Sequence, residues 1–112
     1  MKLHVHAVLL ALAGLTVQAA AERKPVVTVQ ACLDADSDPL KTSEPNQRDC
    51  RHEAYATMVT LTSANVVCLG DVKFLEAYDK YKVAVKTKPE FWDKEFSYIF
   101  GMFAARVWLC GQ

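Results

Sequence analysis

The chain has 112 residues, with 13 lysines and arginines against 13 aspartates and glutamates. Residues 1–21 have the make-up of a removable leader; without them, and so without Lys2, 91 residues remain with 12 basic and 13 acidic side chains, a net charge of −1. That length excludes more than one domain, and that balance argues against nucleic acid or an anionic membrane as a general partner.

The leader is read from its three parts. Lys2 gives a positive start, the run from Val5 to Leu15 carries no charge, and Val17-Gln18-Ala19-Ala20-Ala21 offers the small residues that a signal peptidase recognises. A membrane anchor needs about 20 apolar residues, and this run is shorter and broken by Gly14. The expected product is an exported, periplasmic chain from Glu22 to Gln112, free of the membrane after cleavage and folded as one disulfide-stapled domain.

Glu22-Arg23-Lys24-Pro25 is polar and expected to fray, and an apolar stretch follows from Val26 to Leu33. The segment Asp34 to Gln47 holds two prolines, three aspartates and Leu40 as its single large apolar residue, which predicts an exposed loop. Asn46 then suits an N-cap, and Cys50, Ala54, Met58 and Leu61, with Tyr55 and Thr62 alongside, recur with helical period, predicting a helix over 47–63. After Gly70, Asp71 is placed to cap a second helix with Val72, Leu75, Tyr78 and Val85 as its apolar stripe. The stretch Lys80 to Lys88 also alternates strictly, with Tyr81, Val83, Val85 and Thr87 on one side and lysines or Ala84 on the other, so a short strand near 80–88 is a rival reading. Pro89 marks a boundary and suits the first turn of a new helix. Beyond it Trp92, Phe96, Ile99, Phe103 and Val107, widened by Phe100 and Trp108, predict a helix running to Leu109, with Gly111 where it stops. The expected fold class is all-α, about four helices and two disulfides, with α+β as the alternative if 80–88 is a strand.

Catalytic groups are scarce. Without the leader His52 is the only histidine, and its neighbour Glu53 points to a different face of the helix. A Cys/His pair needs a free thiol, whereas export predicts that Cys32, Cys50, Cys68 and Cys110 are oxidised. Asp34, Asp36 and Asp38 match the first three ligand positions of a calcium loop. The glycine position is Pro39, however, and the twelfth is Pro45, with Glu44 one place early. Thiols separated by 17, 17 and 41 residues lack the close ligand pairs of a zinc site. No enzyme activity, metal or cofactor is expected. Two clusters suggest contacts instead. Lys73, Lys80, Lys82, Lys86 and Lys88 could form a basic face, although Glu76 and Asp79 intervene. Phe91, Trp92, Phe96, Tyr98, Phe100, Phe103 and Trp108 fall within 18 residues, more girth than one helical face usually buries.

Together, Cys32 ending a short apolar segment, Cys50 and Tyr55 on one helix, Cys68 in a loop, FLEAYDKY, Pro89-Glu90 and FAARVWLC from Phe103 to Cys110 form a recognisable arrangement. It resembles the resistance-associated/type VI amidase immunity (Rap/Tai) family of bacterial periplasmic proteins, over nearly all of the chain beyond the leader. The resemblance implies a mostly helical, disulfide-bonded, often dimeric fold. It also implies a role, the binding and inhibition of a secreted peptidoglycan-cleaving amidase, in which a protruding loop plugs the enzyme cleft. The candidate plugs are the loop Asp34 to Gln47 and the turn Leu69 to Lys73. Candidate contact residues are Asp34, Asp36, Asp38, Lys41, Glu44, Asp71, Lys73 and Trp92.

Four cysteines allow three pairings. Cys32 with Cys50 and Cys68 with Cys110 is the favoured one, because the first bond would pin the acidic loop and the second would tie the start of one long helix to the end of the next. A second function class, a periplasmic stress or interaction protein that binds clients through the aromatic helix, stays open.

Overall fold

Local capping chemistry sets where the longest helix begins. In the computed structural model, which describes residues 26–111, the Asn46 side chain accepts from the Asp49 backbone N–H and the Asp49 carboxylate accepts from that of Asn46, both at 2.9 Å. This reciprocal box satisfies two of the four N–H groups that a helix start leaves unpaired. Four α-helices result: α1 (Val29–Ser37), α2 (Gln47–Ser63), α3 (Phe74–Lys86) and α4 (Phe96–Val107), with a 3-10 turn at Pro89–Phe91 before the last. Among the described residues no strand forms; two isolated bridges pair Thr28 with Glu95 and Val67 with Leu109. The proposed leader and the Glu22–Pro25 segment lie outside the described residues.

Helix α2 keeps the bounds expected of it, and the other elements need correction. The Thr28 hydroxyl caps α1 at the Ala31 N–H, and the helix continues through Asp34 to Ser37, which the composition had marked as loop. Two contacts carry it past the aspartates: Ala35 is fully buried one turn beyond Cys32, and Asp36 pairs with Lys82 at 3.0 Å. The loop proper therefore shrinks to residues 38–46. Asp71 does not cap α3. It sits in a turn closed by the Val72 N–H on the Leu69 carbonyl, with Gly70 at φ +58°, and α3 starts after Lys73 with no side-chain cap.

Residues 80–86 are helical, and packing decides against the strand. A helix collects Ala77, Tyr78, Tyr81 and Val85 on one buried face and sends Val83 and Leu75 to solvent. A strand would have put Val83 on the same side as Tyr81 and Val85. Leu75 and Val72 are accordingly not the core of the stripe. Pro89 opens the 3-10 turn as its position suggests, but α4 itself starts only at Phe96. There the Phe96 N–H bonds to the Val27 carbonyl at 2.8 Å. At the other end Trp108 leaves helical geometry, and Leu109 is spent on the bridge to Val67 rather than on a last helical turn.

Helices α2 and α4 run side by side in the same direction. Glu53 neighbours Glu95 and Ser97, Thr57 and Leu61 meet Gly101, and Val67 meets Leu109 beyond both ends. A Cβ on Gly101 would lie 3.4 Å from Thr57 Cγ2 and 3.6 Å from Leu61 Cδ1, in van der Waals contact with both, so the two helices meet closely here. Across α4 lies the aromatic face of α3. Tyr81 meets the rings of Phe96, Phe100 and Phe103 edge-on at 5.1–5.8 Å, and Tyr78 meets Phe96 and Phe100 in the same way. Edge-to-face pairs of this kind contribute about 0.5–1.5 kcal/mol each beyond the area they bury.

Both disulfides have the favoured pairing, Cys32–Cys50 and Cys68–Cys110, and no cysteine is free. The first ties α1 to the opening turn of α2 inside the core, and the second joins the segments that follow α2 and α4. Closing loops of this size stabilises by about 3–4 kcal/mol each, largely through the unfolded chain. No helix among the described residues is long and apolar enough to cross a membrane.

Among the described residues the core holds one unmet polar group, the Tyr81 hydroxyl, which is buried with no hydrogen-bond partner among them. Burial also pushes the Tyr78 and Tyr81 phenols well above the usual tyrosine range, with the Asp36 charge adding to Tyr78 and the Tyr78 phenol adding to Tyr81. Leaving such a group unpaired costs about 1–3 kcal/mol. Tyr81→Phe should therefore leave the fold unchanged and raise stability in chemical denaturation by about 1 kcal/mol; a loss of stability would mean that the hydroxyl has a partner.

Candidate partner-binding surfaces

The two expected plugs are at opposite ends of α2. Residues 38–46 lead into it and residues 69–73 follow it, and seventeen residues at 1.5 Å each make α2 roughly 25 Å long. The expected contact residues therefore do not form one site. Asp34, Asp38, Lys41 and Glu44 belong to the first end, with Asp34, Asp38 and Glu44 exposed and Lys41 half-buried; Asp71 and Lys73 are exposed at the other.

Asp36 and Trp92 have structural duties instead. Asp36 accepts from Lys82 at 3.0 Å and from the Gln47 amide at 3.4 Å. Burial alone would raise its carboxyl, but the hydrogen bond and charge of Lys82, with help from Gln47 and Lys86, outweigh burial and hold it below the usual carboxylate range. The same Lys82 ammonium lies 4.9 Å above the Tyr78 ring and 3.3 Å from Asp79. Trp92 is half-buried; its indole N–H donates to the Val85 carbonyl at 2.8 Å, and its own carbonyl accepts from Gln30 at 2.9 Å, so it ties the end of α3 to α1.

What remains at the first end is a tight turn. The Lys41 N–H bonds to the Asp38 carbonyl at 3.1 Å across Pro39 and Leu40. Proline presets the first corner of such a turn, and the second corner is Leu40, 89 % exposed. The chain then passes through a cis Glu44–Pro45 bond into the α2 cap. Leu40 was visible in the sequence as the one large apolar residue of its segment, but only the turn geometry makes it a tip.

Two grooves flank the start of α4, and sequence reasoning named neither. One is lined by Val26, Val27, Ala31, Pro45 and His52 together with Glu44, Asp49, Glu53 and Glu95. The other follows the α2/α4 seam past Ala56, Thr57, Thr60, Tyr98, Gly101 and Met102. Of the aromatics on α4 only Tyr98, 67 % exposed, stands mainly in solvent; Phe96 and Phe100 are fully buried. The expected aromatic surplus is thus mostly spent on the core. The basic face is also diluted, since Lys82 is engaged while Lys73, Lys80, Lys86 and Lys88 stay exposed. His52 is exposed on α2, and among the described residues no three histidine, cysteine, aspartate or glutamate side chains gather closely enough to hold a metal.

Glu53 joins the two grooves and is electrostatically uncomfortable. Partial burial, and after it the charge of Glu95, push its carboxyl up, with the Ser97 hydroxyl pulling weakly the other way. A carboxyl raised in the folded state binds its proton more tightly there than in the unfolded chain, so stability falls as pH rises above the ordinary glutamate value of 4.5. Glu53→Gln should therefore raise the melting temperature at pH 7 and make no difference below about pH 4. Equal melting temperatures at pH 7 would remove the strain from this account. Comparison with protein-family models, with curated proteins and with solved structures finds no match for this chain.

Proposed function

We propose that the chain is a periplasmic immunity protein that binds and inhibits a peptidoglycan-cleaving amidase effector of a type VI secretion system, with the turn Asp38–Lys41 as the element that enters the enzyme cleft. The observation that carries this reading is Leu40, held out at the tip of a turn whose two ends are both fastened. On one side α1 is fixed by Cys32–Cys50 and by Asp36 on Lys82; on the other the Asn46–Asp49 box fixes the start of α2. A braced loop loses little freedom on binding, so more of its contact energy appears as affinity. An apolar tip that gains nothing in water gains most in a pocket that excludes water.

Paired cysteines suit a chain that folds outside the reducing cytoplasm, which agrees with the leader-like residues 1–21. The alternative, client capture through the aromatic helix, has less surface to draw on because α4 buries Phe96 and Phe100.

The test is inhibition of candidate amidases by the purified chain. Leu40→Asp should weaken inhibition by about 30-fold or more, the loss expected of an interface anchor worth 2 kcal/mol, with an unchanged melting temperature. Asp71→Lys, at the far end of α2, should leave inhibition intact. Inhibition that survives Leu40→Asp but not Asp71→Lys would transfer the role to the other turn, and inhibition of no amidase would end the reading.

A further inference from the structure

The two disulfides differ in their access to solvent. Cys32 and Cys50 are 4 % and 1 % exposed and belong to the buried core together with Val29, Ala35 and Ala54. Cys68 is exposed and Cys110 half-buried, and the chain around them is open too, with Asn65, Gly70, Val107, Leu109 and Gly111 all exposed. Thiol–disulfide exchange requires a thiolate to reach a sulfur, so access is a condition for the reaction. The core bond is reached only in molecules whose α1 has come away from α2, whereas the outer bond is reached in the folded chain.

Other contacts hold the same place. The Cys68 N–H bonds to the Trp108 carbonyl at 2.8 Å, the Cys110 N–H to the Val66 carbonyl at 3.0 Å, and the Trp108 N–H to the Ala104 carbonyl at 2.9 Å. The Trp108 ring meets Phe103 edge-on at 5.8 Å, and Val67, next to Cys68, is buried. These contacts keep the two sulfurs near each other once the bond is open, so oxidation can close it again. What the bond itself adds is restraint on the turn 69–73, which leaves from Cys68, and on residues 108–111 beyond α4. We propose that Cys68–Cys110 is a site of thiol–disulfide exchange with an external dithiol, with Cys68 the sulfur attacked, while Cys32–Cys50 is a purely structural bond. The incoming thiolate bonds to Cys68 Sγ as the Sγ–Sγ bond breaks, and the electron pair leaves on Cys110 Sγ, which takes a proton from water. The second thiol of the reagent, as its thiolate, then displaces Cys68 Sγ, which is protonated in turn. The chain gains two electrons and two protons, and the dithiol becomes a disulfide. Opening loosens the turn 69–73 and residues 108–111 together and leaves the four-helix core in place. This inference does not rest on the amidase reading.

Treatment of the folded, oxidised chain with dithiothreitol tests it, with samples quenched by N-ethylmaleimide and mapped by mass spectrometry. Cys68 and Cys110 should be alkylated at an initial rate about 100-fold or more above that of Cys32 and Cys50, as when one bond reacts directly and the other only through opening of the core. In concentrated guanidinium the two rates should converge. Glutathione in place of dithiothreitol should leave its mixed disulfide on Cys68. Amide hydrogen exchange in the singly reduced chain should quicken at 69–73 and 108–111 and stay slow in the cores of α1 and α2. Cys68→Ser/Cys110→Ser should keep the helical circular dichroism and the slow reaction at Cys32 and Cys50. Equal initial rates for the two bonds in the folded wild-type chain would overturn the proposal, whatever the variant does. So would a mixed disulfide on Cys110, or loss of helix when the outer bond alone is opened.

Discussion

The Tyr81 ring, wedged edge-on among Phe96, Phe100 and Phe103, is the contact on which the rest of the molecule depends. A chain of this size cannot bury a large core, and here the aromatic rings of α3 and α4 supply much of it. Laying α3 across α4 forces Val85 inward, where its carbonyl meets the Trp92 indole, and brings Lys82 within reach of Asp36. Helix α1 is thus held from two sides, by an ion pair from α3 and by a disulfide from α2.

How much of this could be read in advance follows the range of the forces involved. Helix α2 was legible to the residue because Asn46 and Asp49 set its start within a single turn. The span of α3 was ambiguous because alternating lysines and valines satisfy two periods at once, and only burial of Tyr81 and Val85 away from Val83 chooses between them. The continuation of α1 through Asp34 to Ser37 was not legible at all. Its local composition is that of a loop, and the group that holds Asp36 in place lies 46 residues further along the chain. The same cause hid the internal partners of Asp36 and Trp92: a polar side chain in a polar segment looks available until its partner is known. Glu53 was missed for the opposite reason, since it gains significance only when α4 brings Glu95 beside it.

Two of the half-buried carboxylates, Asp36 and Glu53, make an instructive pair. Asp36 has its counter-charge built in and serves the fold, whereas Glu53 faces another carboxylate and has only the Ser97 hydroxyl to set against it. Proteins retain uncompensated charge most readily where something else supplies the compensation. The satisfied pair lies towards α3 and the unsatisfied pair towards α4.

Each cysteine is bonded to the next one along the chain, first with second and third with fourth. For a polypeptide that enters an oxidising compartment amino end first, native bonds are then the same as those made by order of arrival. In such a passage Cys32 would meet Cys50 before Cys68 had emerged, and Cys110 would find only one thiol waiting. Such a chain can mature without reshuffling mispaired sulfurs, an exchange that otherwise takes seconds to hours.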